Sequence, residues 1–355
     1  MTPVPDRLAG RSGVSADRSA SARRLFIHVG FPKTATTTLQ NHLFARHSQV
    51  NYLGKPFSET LAQVERQILT LDSVLFEGRL EALQKAFLQE VGSLAGDDLV
   101  ISHEGFLRNT RYDGHDLGRT ASRLRRVFGG ALGPAYRLEI LVCLRSQVDL
   151  ILSHYVQFVA GSQKDFDRHL KAALEEPTGG FPGSLFYDEL LSFYAAEFGR
   201  QNLHVLLFED LITEKARFIE ELSEILCIDP AESLALLDGK HEKQKRKRGT
   251  AYLARGGKSW PKRLSQALRS SVSVRPWQRA ALEELYGAGN ARLQDGFGLP
   301  LSERGYPVLE RGPARSFDRA GAGSSETVPA RGKDVLLRWF SQAAPSSRSG
   351  SASLP

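Results

Sequence analysis

The chain has 355 residues, 41% of them hydrophobic and 25% charged, a balance that supports a folded core and excludes a collagen-like or wholly disordered chain. With 47 Lys and Arg against 40 Asp and Glu, its formal charge of +7 biases it toward anionic partners: nucleic acid, an acidic membrane surface or a highly charged nucleotide. Two cysteines, Cys143 and Cys227, are too few for a disulfide framework and lack zinc-site spacing. Each lies in an apolar stretch and reads as a small core residue in a reducing compartment.

Residues 1–23 lack the apolar segment of a secretory signal and are expected to be a disordered leader. No run approaches the roughly 20 apolar residues of a membrane span, so a cytoplasmic protein is expected. The folded domain should cover 24–309. It opens with a buried strand, Leu25–Val29, then a turn containing Gly30 and Pro32. That turn feeds a helix carrying Leu39, Leu43 and Phe44 at helical spacing.

A short strand over Gln49–Leu53 is followed by helix over 58–92. A third strand, Leu99–Ile101, ends at Ser102-His103-Glu104. A basic helix over Gly118–Phe128, a strand over Arg137–Leu144, a helix from Gln147, a helix over Tyr187–Phe198 and a strand over Leu203–Phe208 come next, with further helix over 214–226. Apolar strands alternating with helices predict an α/β fold whose mainly parallel five-stranded sheet is covered on both faces. From Arg311 the composition turns to Gly, Ala, Ser, Pro and Arg, so 310–355 reads as a low-complexity tail. Lys333–Gln342 forms an apolar island within it, read as a short helix that docks on its own domain, with a peripheral membrane contact left open.

The most informative segment is HVGFPKTATTTLQ, residues 28–40. A strand, a tight turn, a lysine and a cluster of hydroxyl residues opening a helix make an anion site, because the first helical turn has unpaired N–H groups and the positive end of the dipole. Lys33 adds a point charge, and Thr34, Thr36, Thr37 and Thr38 add hydroxyl donors. One threonine would suffice to cap a helix; four within five residues point to a ligand. The segment is not a Walker A loop, since no second glycine precedes Lys33.

The shorter loop resembles the 5′-phosphosulfate loop of sulfotransferases that use 3′-phosphoadenosine 5′-phosphosulfate (PAPS), whose common form is [YF]-P-K-[ST]-G-T-T. Phe31, Pro32, Lys33, Thr34, Thr36 and Thr37 match it, while Ala35 replaces the usual glycine and should tighten the backbone. Thr38 stands where many members carry a tryptophan that packs on adenine. A second match is remote in sequence: LVCLRSQVDLILSHY puts Arg145 at a strand end and Ser153 eight positions on, the family's 3′-phosphate signature. A guanidinium fork and a hydroxyl suit a dianionic phosphate.

The resemblance implies a three-layer fold like that of the P-loop NTPases and PAPS as co-substrate. It offers Tyr187, in GSLFY, as an adenine contact, and FEDL at 208–211 as a structural feature. KQKRKRG (Lys243–Gly249) resembles the loop that closes on the 3′-phosphate through Arg248 and Gly249; a solvated charge run or a nucleic-acid patch stays equally open.

Transfer of a sulfuryl group to a hydroxyl needs in-line placement, a base and charge stabilisation at the leaving oxygen. Lys33 and the amides of residues 34–38 serve the last. No metal is expected. The resemblance puts the base at the third strand's end, where strand position favours Glu104 while the intrinsic pKa of His103 suits the task better. Segments 54–96 and 105–135 should supply the acceptor pocket. The resemblance suggests a carbohydrate or lipid-linked sugar as acceptor, and no nucleic acid is expected. Two rival readings remain: a P-loop-related nucleotide phosphotransferase, and a basic nucleic-acid-binding protein using the Lys243–Gly249 run.

Overall fold

The computed structural model describes residues 22–94, 98–107, 117–158, 165–175, 180–238, 250–253 and 270–309. Strand β1 (Arg23–Gly30) shows why the sheet is covered twice. Leu25, Ile27 and Val29 enter one apolar cluster, whereas Phe26, one step out of phase, enters a second, as a side-chain period of two requires. Strands β2 (Asn51–Tyr52), β3 (Leu99–His103), β4 (Tyr136–Leu144) and β5 (Leu203–Leu207) complete a five-stranded sheet in the order β2-β3-β1-β4-β5. Every pairing in it is parallel, so the α/β expectation holds.

The helices form the outer layers. After β1 comes α1 (Thr36–Thr38), continuing as a π-helical segment, Leu39–Phe44. Next are α2 (Glu59–Thr70), α3 (Ser73–Val91), α4 (Leu117–Leu124), α5 (Gln147–Phe158), α6 (Phe166–Glu175) and α7 (Tyr187–Phe198). Then follow α8 (Phe208–Thr213), α9 (Lys215–Leu226), α10 (Pro230–Leu237) and α11 (Pro276–Phe297). Leu61, Val64 and Ile68 of α2, Phe76, Leu83 and Phe87 of α3, and Leu190 and Tyr194 of α7 pack on the face of Ile27. Leu39, Leu43 and Phe44 join Phe218, Ile219 and Leu222 of α9 on the face of Phe26.

Parallel pairing brings the carboxyl ends of the strands to one edge. Val29 lies opposite His103, Gly30 opposite Cys143 and Leu144 opposite Leu207. The chain therefore leaves the sheet at residues 31, 104, 145 and 208 side by side, the edge where open α/β sheets hold their ligands.

Several sequence expectations need correction. The single helix over 58–92 is two: Leu71 is extended, and the Asp72 side chain accepts the Leu75 N–H at 2.9 Å, restarting the helix. The second strand is only two residues long, and the basic helix after 117 continues past Leu124 in π-helical form, Arg125–Gly129. Cys227 is not a core residue. It ends α9 in the left-handed conformation (φ 53°), which turns its side chain to solvent, whereas Cys143 is buried as expected.

The sequence reading missed α11 and an antiparallel pair, β6 (Thr250–Leu253) with β7 (Ser270–Ser273). Strand β6 packs against α5. The leader, the tail with Lys333–Gln342, and the Lys243–Gly249 run lie outside the described residues. Among those described, no helix is long and apolar enough to cross a membrane.

Because the Asp72 carboxylate satisfies an otherwise unpaired first-turn donor of α3, Asp72→Ala should lower unfolding stability by about 1 kcal/mol. Urea titration would show this as a lower midpoint at an unchanged slope; an unchanged midpoint would contradict the cap.

Candidate active site

The turn after β1 has an unusual backbone. Lys33 (φ 75°) and Ala35 (φ 64°) both occupy the left-handed region, which costs a non-glycine residue roughly 1–2 kcal/mol each. Alternating handedness turns successive N–H groups toward a common concavity, a geometry that favours anions. The amides of Thr36 and Thr37 open α1 and have no earlier carbonyl within the helix to bind. The Thr38 and Leu39 N–H groups already donate to the Ala35 carbonyl, at 2.9 and 3.0 Å.

The threonines divide in a way that corrects the sequence reading. Thr34 and Thr36 are buried, and both hydroxyls donate inward to the Phe31 carbonyl, at 2.7 and 3.1 Å. They brace the turn; their protons are not available to a ligand. Thr37 is exposed and Thr38 half-buried, and Lys33 is exposed. Gly30 is required by this bracing, since a Cβ there would stand 2.9 Å from the Thr36 Oγ1.

Arg145 joins this turn directly. Its Nη1 donates to the Lys33 carbonyl at 3.0 Å, and its guanidinium carbon lies 4.6 Å from the centroid of the Phe208 ring. The two sequence motifs, 112 positions apart, thus meet through one hydrogen bond. Its Nε is buried without a hydrogen-bond partner among the described residues. The strand end that carries Arg145 is tied down at three points. The Tyr187 hydroxyl donates to the Arg145 carbonyl at 2.7 Å, the Ser146 N–H donates to Glu209 Oε1 at 3.0 Å, and the Ser146 hydroxyl donates to the Gly305 carbonyl at 3.1 Å. The Tyr306 hydroxyl donates to the other Glu209 oxygen at 3.0 Å.

Burial drives the Glu209 carboxyl up to about 7, against the pull of the Ser146 amide, the Tyr306 hydroxyl and the Arg145 charge. Sequence reasoning undervalued these supports. FEDL was recognised as structural, but nothing in the local pattern pairs Glu209 with Ser146 and Tyr306. Tyr187 needs outright correction as an adenine contact: its side chain has no exposed surface, and its ring packs 5.4 Å from that of Phe31. It holds the turn and the strand end together.

Beneath the turn lies a polar cluster that the sequence did not signal. His28 is fully buried, its Nδ1 2.7 Å from Ser102 Oγ, and the Gln40 amide donates to the same oxygen at 3.0 Å. Burial lowers the imidazole to about 4, so the ring under the turn is neutral at physiological pH.

At the end of β3 both candidate bases are half-buried. Glu104 begins a 3₁₀ turn, Glu104–Leu107, so the strict alternation of strand faces has already ended there. Its carboxylate makes no hydrogen bond or ion pair among the described residues. His103 is engaged: its Nδ1 receives the Gly105 N–H at 3.0 Å and lies 3.1 Å from Glu65 Oε1, with the rings of Phe57 and Phe106 against it. Ser153 is half-buried on α5, and Arg248 and Gly249 lie outside the described residues. Among the described residues, no group of three or more His, Cys, Asp or Glu side chains is placed to hold a metal ion. A cleft of about 660 Å³ opens beside Tyr136 and Asn202, at the opposite edge of the sheet, far from this chemistry.

No protein-family profile and no curated protein matches the chain. Several solved structures do, and sulfotransferases are among them. A sulfotransferase from Alicyclobacillus acidocaldarius is 18% identical, with 80% of this chain and 99% of that one covered and a TM-score of 0.48. A mouse sulfotransferase complexed with PAP is 12% identical over 61% of this chain and 64% of that one, with a TM-score of 0.35. A sugar kinase from a Janibacter species is 13% identical, covering 59% and 98%, with a TM-score of 0.30. These likenesses concern form; the chemistry rests on the residues described above.

The Glu209 carboxyl, raised by burial from 4.5 to about 7, binds its proton more tightly in the folded chain than in the unfolded one. The folded state is therefore favoured below the unfolded value, and this contribution is lost as pH rises from about 4.5 to about 7. Relative to Glu209→Gln, the native protein should lose stability across that window, on the order of 3 kcal/mol in total. Denaturant titrations of both at several pH values check this; parallel curves would contradict it.

Proposed function

We propose that the chain is a PAPS-dependent sulfotransferase. The observation that carries the proposal is the hydrogen bond from Arg145 to the Lys33 carbonyl, because it unites at one sheet edge the two segments that match the family's phosphate signatures. Lys33, the outward amides of Thr36 and Thr37 and the Thr37 hydroxyl make an electropositive concavity suited to a phosphosulfate. Arg145 and Ser153, with Arg248 and Gly249 in support, fit the 3′-phosphate. Ala35 and Thr38 contribute backbone to the same turn.

In the reaction an acceptor oxygen forms a bond to sulfur while the bond from sulfur to the 5′-phosphate oxygen breaks, its electron pair leaving on adenosine 3′,5′-bisphosphate (PAP). Lys33 and the turn amides stabilise the charge that grows on that oxygen. Glu104 takes the proton of the acceptor hydroxyl. It is the stronger choice because its carboxylate has no partner among the described residues and sits where the chain has just left β3, next to the turn. His103, with Nδ1 already bonded, is the second group at that place. The acceptor class we favour is a carbohydrate or a lipid-linked sugar, on the strength of the resemblance.

The kinase-like reading is weaker, since the turn lacks the second glycine of a Walker A loop and instead holds Lys33 itself in the left-handed conformation.

Calorimetry with PAP in the absence of magnesium should show binding to the native protein and about 100-fold weaker binding to Arg145→Ala. Lys33→Ala and Glu104→Gln should each lower transfer of ³⁵S from PAPS by about 10²–10³-fold while leaving circular dichroism unchanged. PAP binding that requires magnesium, or full transfer by Lys33→Ala, would overturn the proposal.

A further inference from the structure

Glu209 lies in the first turn of α8, one position after the Phe208 ring that packs on the Arg145 guanidinium, and it is only 7% exposed. A buried acid next to a guanidinium is expected to pair with it. Among the described residues no ion pair joins the two. The Glu209 carboxyl takes neutral donors instead, the Ser146 N–H on Oε1 and the Tyr306 hydroxyl on Oε2, each at 3.0 Å. Arg145 gives Nη1 to the Lys33 carbonyl, so its charge is offered to the site without a carboxylate bound to it.

The other titratable groups around the carboxyl carry no charge of their own. Burial pushes Cys143 of β4, Tyr187 of α7 and Tyr306 well above their ordinary values, so each keeps its proton. Asp210, next in the chain, is held by Arg304, which also binds Glu214. Burial drives Glu209 up to about 7, opposed by the Ser146 amide, its own amide, the Tyr306 hydroxyl and the Arg145 charge. Both of its protonation states fit the same frame. The ion accepts from both partners. The acid keeps Oε1 for the Ser146 N–H and carries its proton on Oε2, facing a phenol that can accept as well as donate. The charge on Glu209 can therefore follow the electrostatics of the site without any displacement of heavy atoms.

We infer that Glu209 is a positioning residue that takes up one proton when an anion occupies Arg145, so that nucleotide binding is coupled to the loss of a negative charge close to the guanidinium. On the sulfotransferase reading, on which this role rests, the anion is the 3′-phosphate. A dianion there offsets the one cation that favours ionised Glu209, and its own charge repels that ion. Both effects favour the acid. One proton passes from solvent to Oε2 on binding and returns to solvent on release. PAP is therefore held more weakly, and leaves more readily, once pH rises above the range in which the free carboxyl is protonated.

The test follows the carboxylic C=O stretch of Glu209 by infrared difference spectroscopy on the full chain without magnesium, the band being assigned by its loss in Glu209→Gln. At about pH 7.5 PAP should strengthen this band, with its titration midpoint raised by about one unit. Millimolar sulfate, a dianion throughout this range, should act in the same direction. By calorimetry, PAP affinity should fall about tenfold more in the native chain than in Glu209→Gln between about pH 6 and about pH 9. Comparison with the variant removes the titration of the 3′-phosphate itself. Tyr306→Phe, which lacks a donor that favours the ion, should raise the midpoint of the free chain and move the fall in affinity to higher pH. Its shifted band also identifies Glu209 if Glu209→Gln does not fold.

Bound PAP that leaves the band unmoved, or an affinity with the same pH dependence in the native chain and Glu209→Gln, overturns the coupling and leaves the sulfotransferase reading standing. If PAP does not bind but sulfate still protonates Glu209, that reading falls and the coupling to an anion stands. If neither anion moves the band, the coupling is overturned.

Discussion

The hydrogen bond from the Arg145 guanidinium to the Lys33 carbonyl is the contact on which the rest of the site depends. A left-handed residue such as Lys33 points its carbonyl away from any local partner, and that group must find a donor or face water. Arg145 supplies the donor from the neighbouring strand. The turn can therefore hold two strained residues, and their amides stay directed at a common point. Every support of Arg145 is in this sense a support of the turn: Phe208 lies against its guanidinium, Tyr187 holds its carbonyl, and Glu209 holds the next amide. The parallel register makes this convergence possible, since it delivers the ends of β1, β3, β4 and β5 to one edge.

The same arrangement fixes where positive charge lies. His28 is close under the turn and could have added a cation there, yet burial holds it neutral. Attraction for an anion is left to fixed amide dipoles, to Lys33 and to Arg145. Glu209 works in the opposite direction. It is a buried acid close enough to Arg145 to be influenced by it, and its main partners are the Ser146 amide and the Tyr306 hydroxyl. Its task is to lock the backbone after Arg145, and burial spares the site a full negative charge.

What the sequence disclosed follows from how local each signal is. Strands β1, β4 and β5 are largely apolar runs bounded by turn residues, and their positions and parallel pairing could be read directly. The turn after β1 is legible for the same reason: strand, turn and helix start lie within about a dozen consecutive residues. The division at Asp72 was visible only as an acid inside an apolar period, where a helical pattern hides a cap. The orientation of Thr34 and Thr36 could not be read, because a hydroxyl serves a backbone carbonyl and a phosphate equally well and the residue type does not distinguish them. Tyr187 meets Arg145, Glu209 meets Ser146 and Tyr306 meets Glu209 across separations of 42, 63 and 97 positions, contacts that only the folded chain defines.

An arginine at the end of β4, where a lysine would carry the same charge, follows from this double duty. An ammonium bonded to the Lys33 carbonyl would spend its geometry on that bond, whereas a guanidinium has five N–H groups in a rigid fork. One nitrogen, Nη1, is used by the turn, and the buried Nε has no hydrogen-bond partner among the described residues. The fork therefore retains donors on its other edge while its plane is held by Phe208. A group fixed in this way can brace the turn and bind a phosphate at once, so that occupying the site need not release the strain stored in Lys33 and Ala35. On the proposed function, the amides that would face one end of the nucleotide and the guanidinium that would face the other are parts of one preorganised element.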